Sequence, residues 1–433
     1  KEEKPEISIL VNASGFGKYG TYLDLTEQEI IFGGEEKLLK TVREAWKRYE
    51  PEMVFIIPSP VSDILNEDIR SAAVKLRREG IKVTAIQSEL FSHRDKNYSR
   101  NRLKEIAKQK ITGDTRLEIE LKGCGFTEAL YAIVEQVMKP QEIISRSVNI
   151  ETVGWGSEGR LVLREMEAFL NTCGVTVNTW IPSAGVAALE HAPAAQLNLV
   201  KRIRWARRMK ERFGTDYMQL NGNGRYTGLD GIALFYRDIA EKLCILPEME
   251  EKIKKKMEEI RMLAKESLDY LGAKHCVLVC RGFSDAPFTL KLFAKEFGVG
   301  IGALCVILTE EQRRSLNITK DIEEQLVERI REAAKLYAPQ VRILFNPDQE
   351  QLKNCFDQAD AVLGTGDFTL EGCGAPLIPV GTEMTSLSFE SWLRNIKRLE
   401  RRIRNAGRKD ELLLNRMPFQ EERYADYDSV SAR

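Results

Sequence analysis

The sequence predicts an α/β chain of doubly wound parallel sheets, laid out as three successive βα units. Three observations carry this. Short apolar runs alternate with longer stretches whose apolar residues recur at helical spacing. Over 147–174 an apolar run stops at Gly154, Gly156 and Gly159, and Leu161, Leu163, Met166 and Leu170 then follow at helical spacing: a strand, a tight turn and a helix. Finally, the charged stretch 248–271 has the length and pattern of a helical connector into a further unit.

The first unit, 1–145, opens on a charged lead, a strand over 7–13 and a glycine-bearing loop to Tyr22. A helix over 35–49 places Leu38, Val42 and Trp46 on one face. A short strand over 53–57 stops at Pro58-Ser59-Pro60, and a helix over 63–78 turns Ile64, Ile69, Ala72, Val74 and Leu76 to a core. Another strand, over 81–86, completes a βαβ alternation, which predicts a parallel sheet with functional groups at the carboxyl ends of its strands. The dense charge of 94–115 marks an excursion or a solvated helix, and 126–137 is amphipathic.

In the second unit, 146–272, the glycine cluster matches G-x-G-x-x-G. Glycines there let a backbone approach a pyrophosphate seated on a helix N-terminus, so Gly154, Gly156 and Gly159 are candidate cofactor-binding positions. The same spacing also suits an ordinary strand-to-helix turn. No acidic residue follows the next strand, 175–180, where a ribose-binding carboxylate belongs. The stretch 196–200 leads into a strongly basic helix, KRIRWARRMKERFG, whose uncharged face is confined to Ile203, Ala206 and Met209. The third unit, 273–433, has strands over 276–280, 300–308, 341–345, 361–363 and 377–380. It also has a helix over 286–297 capped by Ser284 or Asp285, and a last helix over 387–405.

Lysine plus arginine equals aspartate plus glutamate, 65 each. This balance offers no field for nucleic acid or an anionic membrane. No apolar run is long enough to cross a bilayer and no signal peptide opens the chain, so a cytoplasmic protein is expected. Most of the eight cysteines sit in apolar strand or helix patterns, as buried free thiols do. Cys276 and Cys280 would share one strand face. Cys124 and Cys373 differ, each lying between two glycines in a loop setting open to close approach, and they are the candidate metal ligands.

Several stretches together resemble a known family: TEQEIIFGGEEKL at 26–38, PSPVSDILNED at 58–68, the segment 126–138, the glycine-bearing turn, APAAQLNLVKRIR at 192–204, and 376–381. Their order and spacing are similar to those of the large subunits of nitrogenase component 1. That family also takes in the cofactor-assembly scaffold pair and the nitrogenase-like reductases. The resemblance implies three Rossmann-like doubly wound domains around a central cleft and pairing with a homologous subunit as hetero- or homodimer. It further implies an iron-sulfur cluster at the subunit interface, a further metallocofactor in some members, and electrons from an ATP-dependent iron protein.

Departures from the family are as informative. Pro60 stands where a cluster-binding cysteine belongs. Arg202 matches the position at which the catalytic subunit's cysteine ligates its metal cofactor, with Arg204 kept as a basic neighbour. The resemblance therefore implies a non-cofactor-bearing partner chain, with a scaffold or cluster-free anion-binding member as the alternative. Arg202, Arg204, Arg225 and Arg281 suit an anionic group, such as carboxylates of a tetrapyrrole or of homocitrate, or else pair with neighbouring acids. A nucleotide-sugar-binding transferase using the glycine turn for a phosphate is the reading from a different class. No catalytic residue is assigned.

Overall fold

The computed structural model describes residues 6–12, 19–24, 33–58, 68–86, 125–152, 157–220, 225–316, 318–365, 375–380 and 387–405. Its first sheet has the order β2-β1-β3-β4, formed by β1 (Glu6–Asn12), β2 (Tyr19–Asp24), β3 (Met53–Pro58) and β4 (Val83–Ala85). Strands β3 and β4 are parallel, but β1 runs antiparallel to both β2 and β3. The parallel sheet expected for this unit is therefore mixed, and part of the loop expected before Tyr22 is strand. The connection from Asn12 to Tyr19 is shorter than the roughly dozen residues a parallel crossover requires, which leaves a hairpin.

Helix α1 (Glu35–Tyr49) buries Leu38, Val42 and Ala45 against this sheet, with Trp46 partly covered. Glutamates in its first turn and basic residues in its last oppose the helix dipole favourably. Helix α2 (Ile69–Arg78) starts where the Asp68 side chain accepts the Ser71 N–H, and buries Ile69, Ala72, Ala73 and Leu76. Val74, expected to face the core, falls outside that i, i+3, i+4, i+7 stripe and is 41% exposed. The expected start of this helix, 63–67, lies outside the described residues.

Helix α3 (Gly125–Gln136) joins two layers. Its Gln136 amide donates to the Ala85 carbonyl at 2.8 Å and accepts the Ala85 N–H at 3.1 Å, on β4, an edge strand among the described residues. Its Leu130, Ile133 and Val134 share a core with residues of the second sheet and its helices.

That second sheet, β6-β5-β7-β8, is parallel throughout: β5 (Ile144–Glu151), β6 (Thr176–Ile181), β7 (Ala195–Val200) and β8 (Asp216–Gln219). Three asparagines fix its register. Asn178 Nδ2 donates to Asn149 Oδ1 at 2.9 Å, and Asn149 Nδ2 donates to both Asn198 Oδ1 and the Ala192 carbonyl at 2.8 Å. A one-residue slip would break each bond in a buried setting, a cost of about 1–3 kcal/mol per orphaned group. Helices α4 (Ser157–Thr172), α5 (Val186–Glu190), α6 (Ile203–Phe213), α7 (Gly228–Lys242) and α8 (Leu246–Gly272) follow in chain order.

The third sheet is also parallel, in the order β11-β10-β9-β12-β13. It comprises β9 (Cys276–Arg281), β10 (Ile301–Ile307), β11 (Arg342–Phe345), β12 (Ala361–Thr365) and β13 (Leu377–Val380). Central β9 is buried from Cys276 to Cys280. Val277 and Val279 pack with Cys305, Leu352, Cys355 and Phe356 on one face, leaving Cys276 and Cys280 together on the other. The helix expected over 286–297 opens as α over Ala286–Leu290 and widens to π geometry over Lys291–Glu296. Asp285 is its N-cap residue, yet its side chain caps nothing; its carbonyl instead accepts the Thr289 hydroxyl at 2.9 Å.

The chain divides into two compact units. One comprises 1–260, 314–325 and 385–391 and holds the first two sheets; the other comprises 261–313, 326–384 and 392–433 and holds the third.

Candidate functional site

In open α/β sheets, ligands bind outside the carboxyl ends of strands, at the point where strand order reverses. In the second sheet the chain leaves β5 for β6 on one side and returns to β7 on the other, so that point lies between β5 and β7. Glu151 ends β5, Lys201 and Arg202 follow β7, and Gln219 ends β8.

Glu151 is completely buried. Its Oε2 accepts the Lys201 N–H at 2.9 Å, the Arg202 N–H at 3.0 Å and the Trp205 indole N–H at 3.0 Å, and its Oε1 accepts Arg202 Nη1 at 2.6 Å. The carboxylate thus occupies the N-terminal end of α6, where unpaired backbone N–H groups and the helix dipole favour an anion. Gln219 Nε2 donates to the Lys201 carbonyl at 3.1 Å and holds the same turn from β8. Nε of Arg202 is buried with no hydrogen-bond partner, and its guanidinium lies 5.8 Å from the Phe126 ring.

Arg204 pairs with the nearly buried Glu128 of α3 and lies 5.0 Å from the Tyr131 ring. Arg208 of α6 pairs with Glu135, and Arg212 donates to the carbonyls of Val134 and Glu135 at 2.7 Å. The basic helix is therefore laced to α3 by its arginines while Ile203, Trp205, Ala206 and Met209 face the core. Burial pulls the Lys201 ammonium down to about 8; the Glu151 carboxylate opposes this and the Arg202 charge adds to it.

Arg225 belongs to a second buried group. Its Nε and Nη2 donate to the Asp238 carboxylate at 3.1 and 3.2 Å, and the Tyr226 hydroxyl donates to Asp238 Oδ2 at 2.8 Å. Burial first, and then Asp238, hold the Tyr226 hydroxyl well above its ordinary range. Gly231 allows this approach, since a Cβ there would meet the Tyr226 carbonyl carbon at 2.4 Å.

Arg281 is exposed at the end of β9 in the other unit, followed by Gly282 at φ +107. Gly159 lies in the first turn of α4. Gly154, Gly156, Cys124, Cys373 and Pro60 lie outside the described residues; in sequence, Cys124 directly precedes α3 and Cys373 falls between β12 and β13. Burial pushes the thiols of Cys276, Cys280 and Cys305 up to about 12, so each is held as a neutral thiol.

Sequence reasoning named Arg202 and Arg204 but passed over Glu151, Glu128, Lys201 and Trp205. The signal for Glu151 was its place as the last strand residue before a glycine cluster. The signal for Glu128 was an acid in the first turn of an otherwise apolar helix.

A metal cofactor at Arg202 does not fit the donors present. A guanidinium has no lone pair to give, and here Glu151 holds it. Among the described residues no group of three or more histidine, cysteine, aspartate or glutamate side chains gathers as a ligand set, and no helix is long and apolar enough to cross a membrane.

The family model for nitrogenase component 1 type oxidoreductases matches residues 10–118 and 119–386. The chain is 26% identical over 283 residues to a nitrogenase molybdenum-iron protein alpha chain of Clostridium pasteurianum, covering 63% of this chain and 46% of that one. It is 25% identical over 315 residues to the nitrogenase iron-molybdenum cofactor biosynthesis protein NifE of a Nostoc species, covering 69% and 57%. The chain thus spans about half the length of the curated relatives it matches. Among solved structures, nitrogenase Cp1 at pH 5 superposes with a TM-score of 0.52 at 18% identity, covering 94% of this chain and 80% of that one, a likeness of fold. With its model matched along most of its length, this chain belongs to the nitrogenase component 1 type oxidoreductase family.

Proposed function

We propose that the chain is a subunit of a nitrogenase-like reductase complex, the partner of a homologous cofactor-bearing subunit, supplied with electrons by an ATP-dependent iron protein. The observation that carries this is Arg202. At the position where the resemblance places a metal-ligating cysteine, this chain has a guanidinium bonded to a fully buried carboxylate. In this reading the chain contacts an iron-sulfur cluster at the subunit interface, with Cys124 and Cys373 as its candidate thiolate ligands. Its lobes are 1–145, 146–272 and 273–433, and it works in the cytoplasm.

Oxygen-free purification, with iron and sulfide analysis and identification of whatever co-purifies, tests the reading. Iron, sulfide and a homologous subunit are expected, with iron lowered in Cys124→Ala. An iron-free chain that purifies alone overturns it.

A second reading, a scaffold or cluster-free member that holds an anionic ligand, is favoured by Pro60, which replaces a further cysteine of the family pattern. It expects a colourless protein.

A further inference from the structure

In the unit that holds the third sheet, the helix Lys320–Tyr337 lies against the helix that begins at Ala286 after β9. Arg329 stands at this contact, 3% exposed, with its Cζ 5.0 Å from the centre of the Phe288 ring. Its Nε and Nη1 are buried and have no hydrogen-bond partner. A ring face attracts the cation, but it does not replace the acceptors that a buried guanidinium requires.

The turn ahead of Phe288 carries an acceptor. Asp285 is the N-cap residue, three positions before Phe288 and so on the same side of the helix, yet its side chain caps nothing. Its Oδ1 accepts the Ser284 hydroxyl at 3.2 Å, long for a bond between two oxygens. Gly282, at φ +107, gives the same turn a hinge that other residues adopt only under strain. Burial lowers Arg329, and Glu332, Tyr337 and Asp285 oppose it in that order; burial also raises the Cys280 thiol, with Asp285 adding to it. The Asp285 charge is thus felt by both buried groups. Glu332, one turn beyond Arg329, and Glu296, whose charge acts on Tyr337, are further acids at this contact.

We propose that Asp285 is the movable half of a latch: its carboxylate leaves Ser284 and seats on the Arg329 guanidinium, fastening the turn after β9 to the helix Lys320–Tyr337. The structure holds the released position. Exposed Arg281 ends β9 just ahead of this turn, at the carboxyl end of a central strand where open sheets bind ligands, so the latch sets how firmly that arginine is placed. Neither position involves a metal or a partner subunit, so the latch and the proposed function can fail separately.

Backbone hydrogen exchange of the full chain, read by mass spectrometry on peptides covering 282–289, tests it. Asp285→Asn and Arg329→Gln should each speed exchange there by about threefold or more, and the double variant no further than either single. Ser284→Ala removes the competing hydrogen bond and should slow exchange, a gain that adding Asp285→Asn cancels. Glu332→Gln should leave it unchanged. Should Arg329→Gln fail to fold, the opposite signs expected of Ser284→Ala and Asp285→Asn still decide. Unchanged exchange in Asp285→Asn, additive effects of the two single variants, exchange that is unchanged or faster in Ser284→Ala, or an equal effect of Glu332→Gln each overturns the proposal.

Discussion

Glu151 satisfies two main-chain donors, an indole and a guanidinium with one carboxylate, and every partner lies within the first turn of α6 or just before it. Replacing it by glutamine leaves Arg202 without its counter-charge in a buried setting. Glu151→Gln is expected to lower stability by about 3–5 kcal/mol in urea unfolding monitored by circular dichroism. Lys201 acts in the opposite sense. Its folded-state value is about 8 against an ordinary 10.5, so between those values the unfolded chain binds more protons and stability rises with pH. The penalty is complete below pH 8 and gone above about 10.5. Lys201→Met should therefore raise the melting temperature more at pH 7 than at pH 10; an equal gain at both would place the lysine's cost elsewhere. These groups were hard to find in the sequence because each is defined by a partner about fifty or more positions away, Glu151 with Arg202 and Glu128 with Arg204.

At the scale of elements, the asparagine ladder across β6, β5 and β7 shows how a parallel sheet with apolar surroundings keeps one alignment. Asn149 serves both neighbours, so Asn149→Ala strands the Asn198 acceptor and takes the 2.9 Å acceptor from the Asn178 amide at once, and a loss of about 2 kcal/mol or more is expected. Adding Asn198→Val removes one stranded acceptor, and the double variant should lose less than the sum of the singles in the same unfolding measurement. Helical and strand periods were readable locally, which is why β3, β9, α1 and α6 match their expected spans closely. The β1–β2 hairpin was not, because a glycine-bearing stretch around Tyr19 looks like loop until its partner strand is known. The sequence likewise showed α6 only as a strongly basic helix with a narrow uncharged face, whereas its arginines tie it to α3.

Over the whole molecule, the two sheets of one unit and the single sheet of the other each follow the same plan of apolar strands covered by amphipathic helices. The family likeness in the sequence was spread along the chain, and the matched segments agree with that spread. The pattern conveyed that most cysteines are shut inside, as Cys276, Cys280, Cys305 and Cys355 are, but it did not set apart exposed Cys244 and half-buried Cys173. Cys276, Cys280 and Cys305, held near 12, have about one thiolate in ten thousand at pH 8. They should resist iodoacetamide in the native protein and react only in denaturant, while exposed Cys244 labels promptly; peptide mass spectrometry separates the two classes.

The Gln136 amide, set against both main-chain groups of Ala85, imitates one residue of a neighbouring strand, a place that no strand among the described residues takes. Among the described residues, a side chain in that place ends the lateral growth of the first sheet and denies a foreign chain its template. Gln136→Ala would reopen the row, and faster turbidity on mild heating, before any loss of helical signal, would mark self-association through that border.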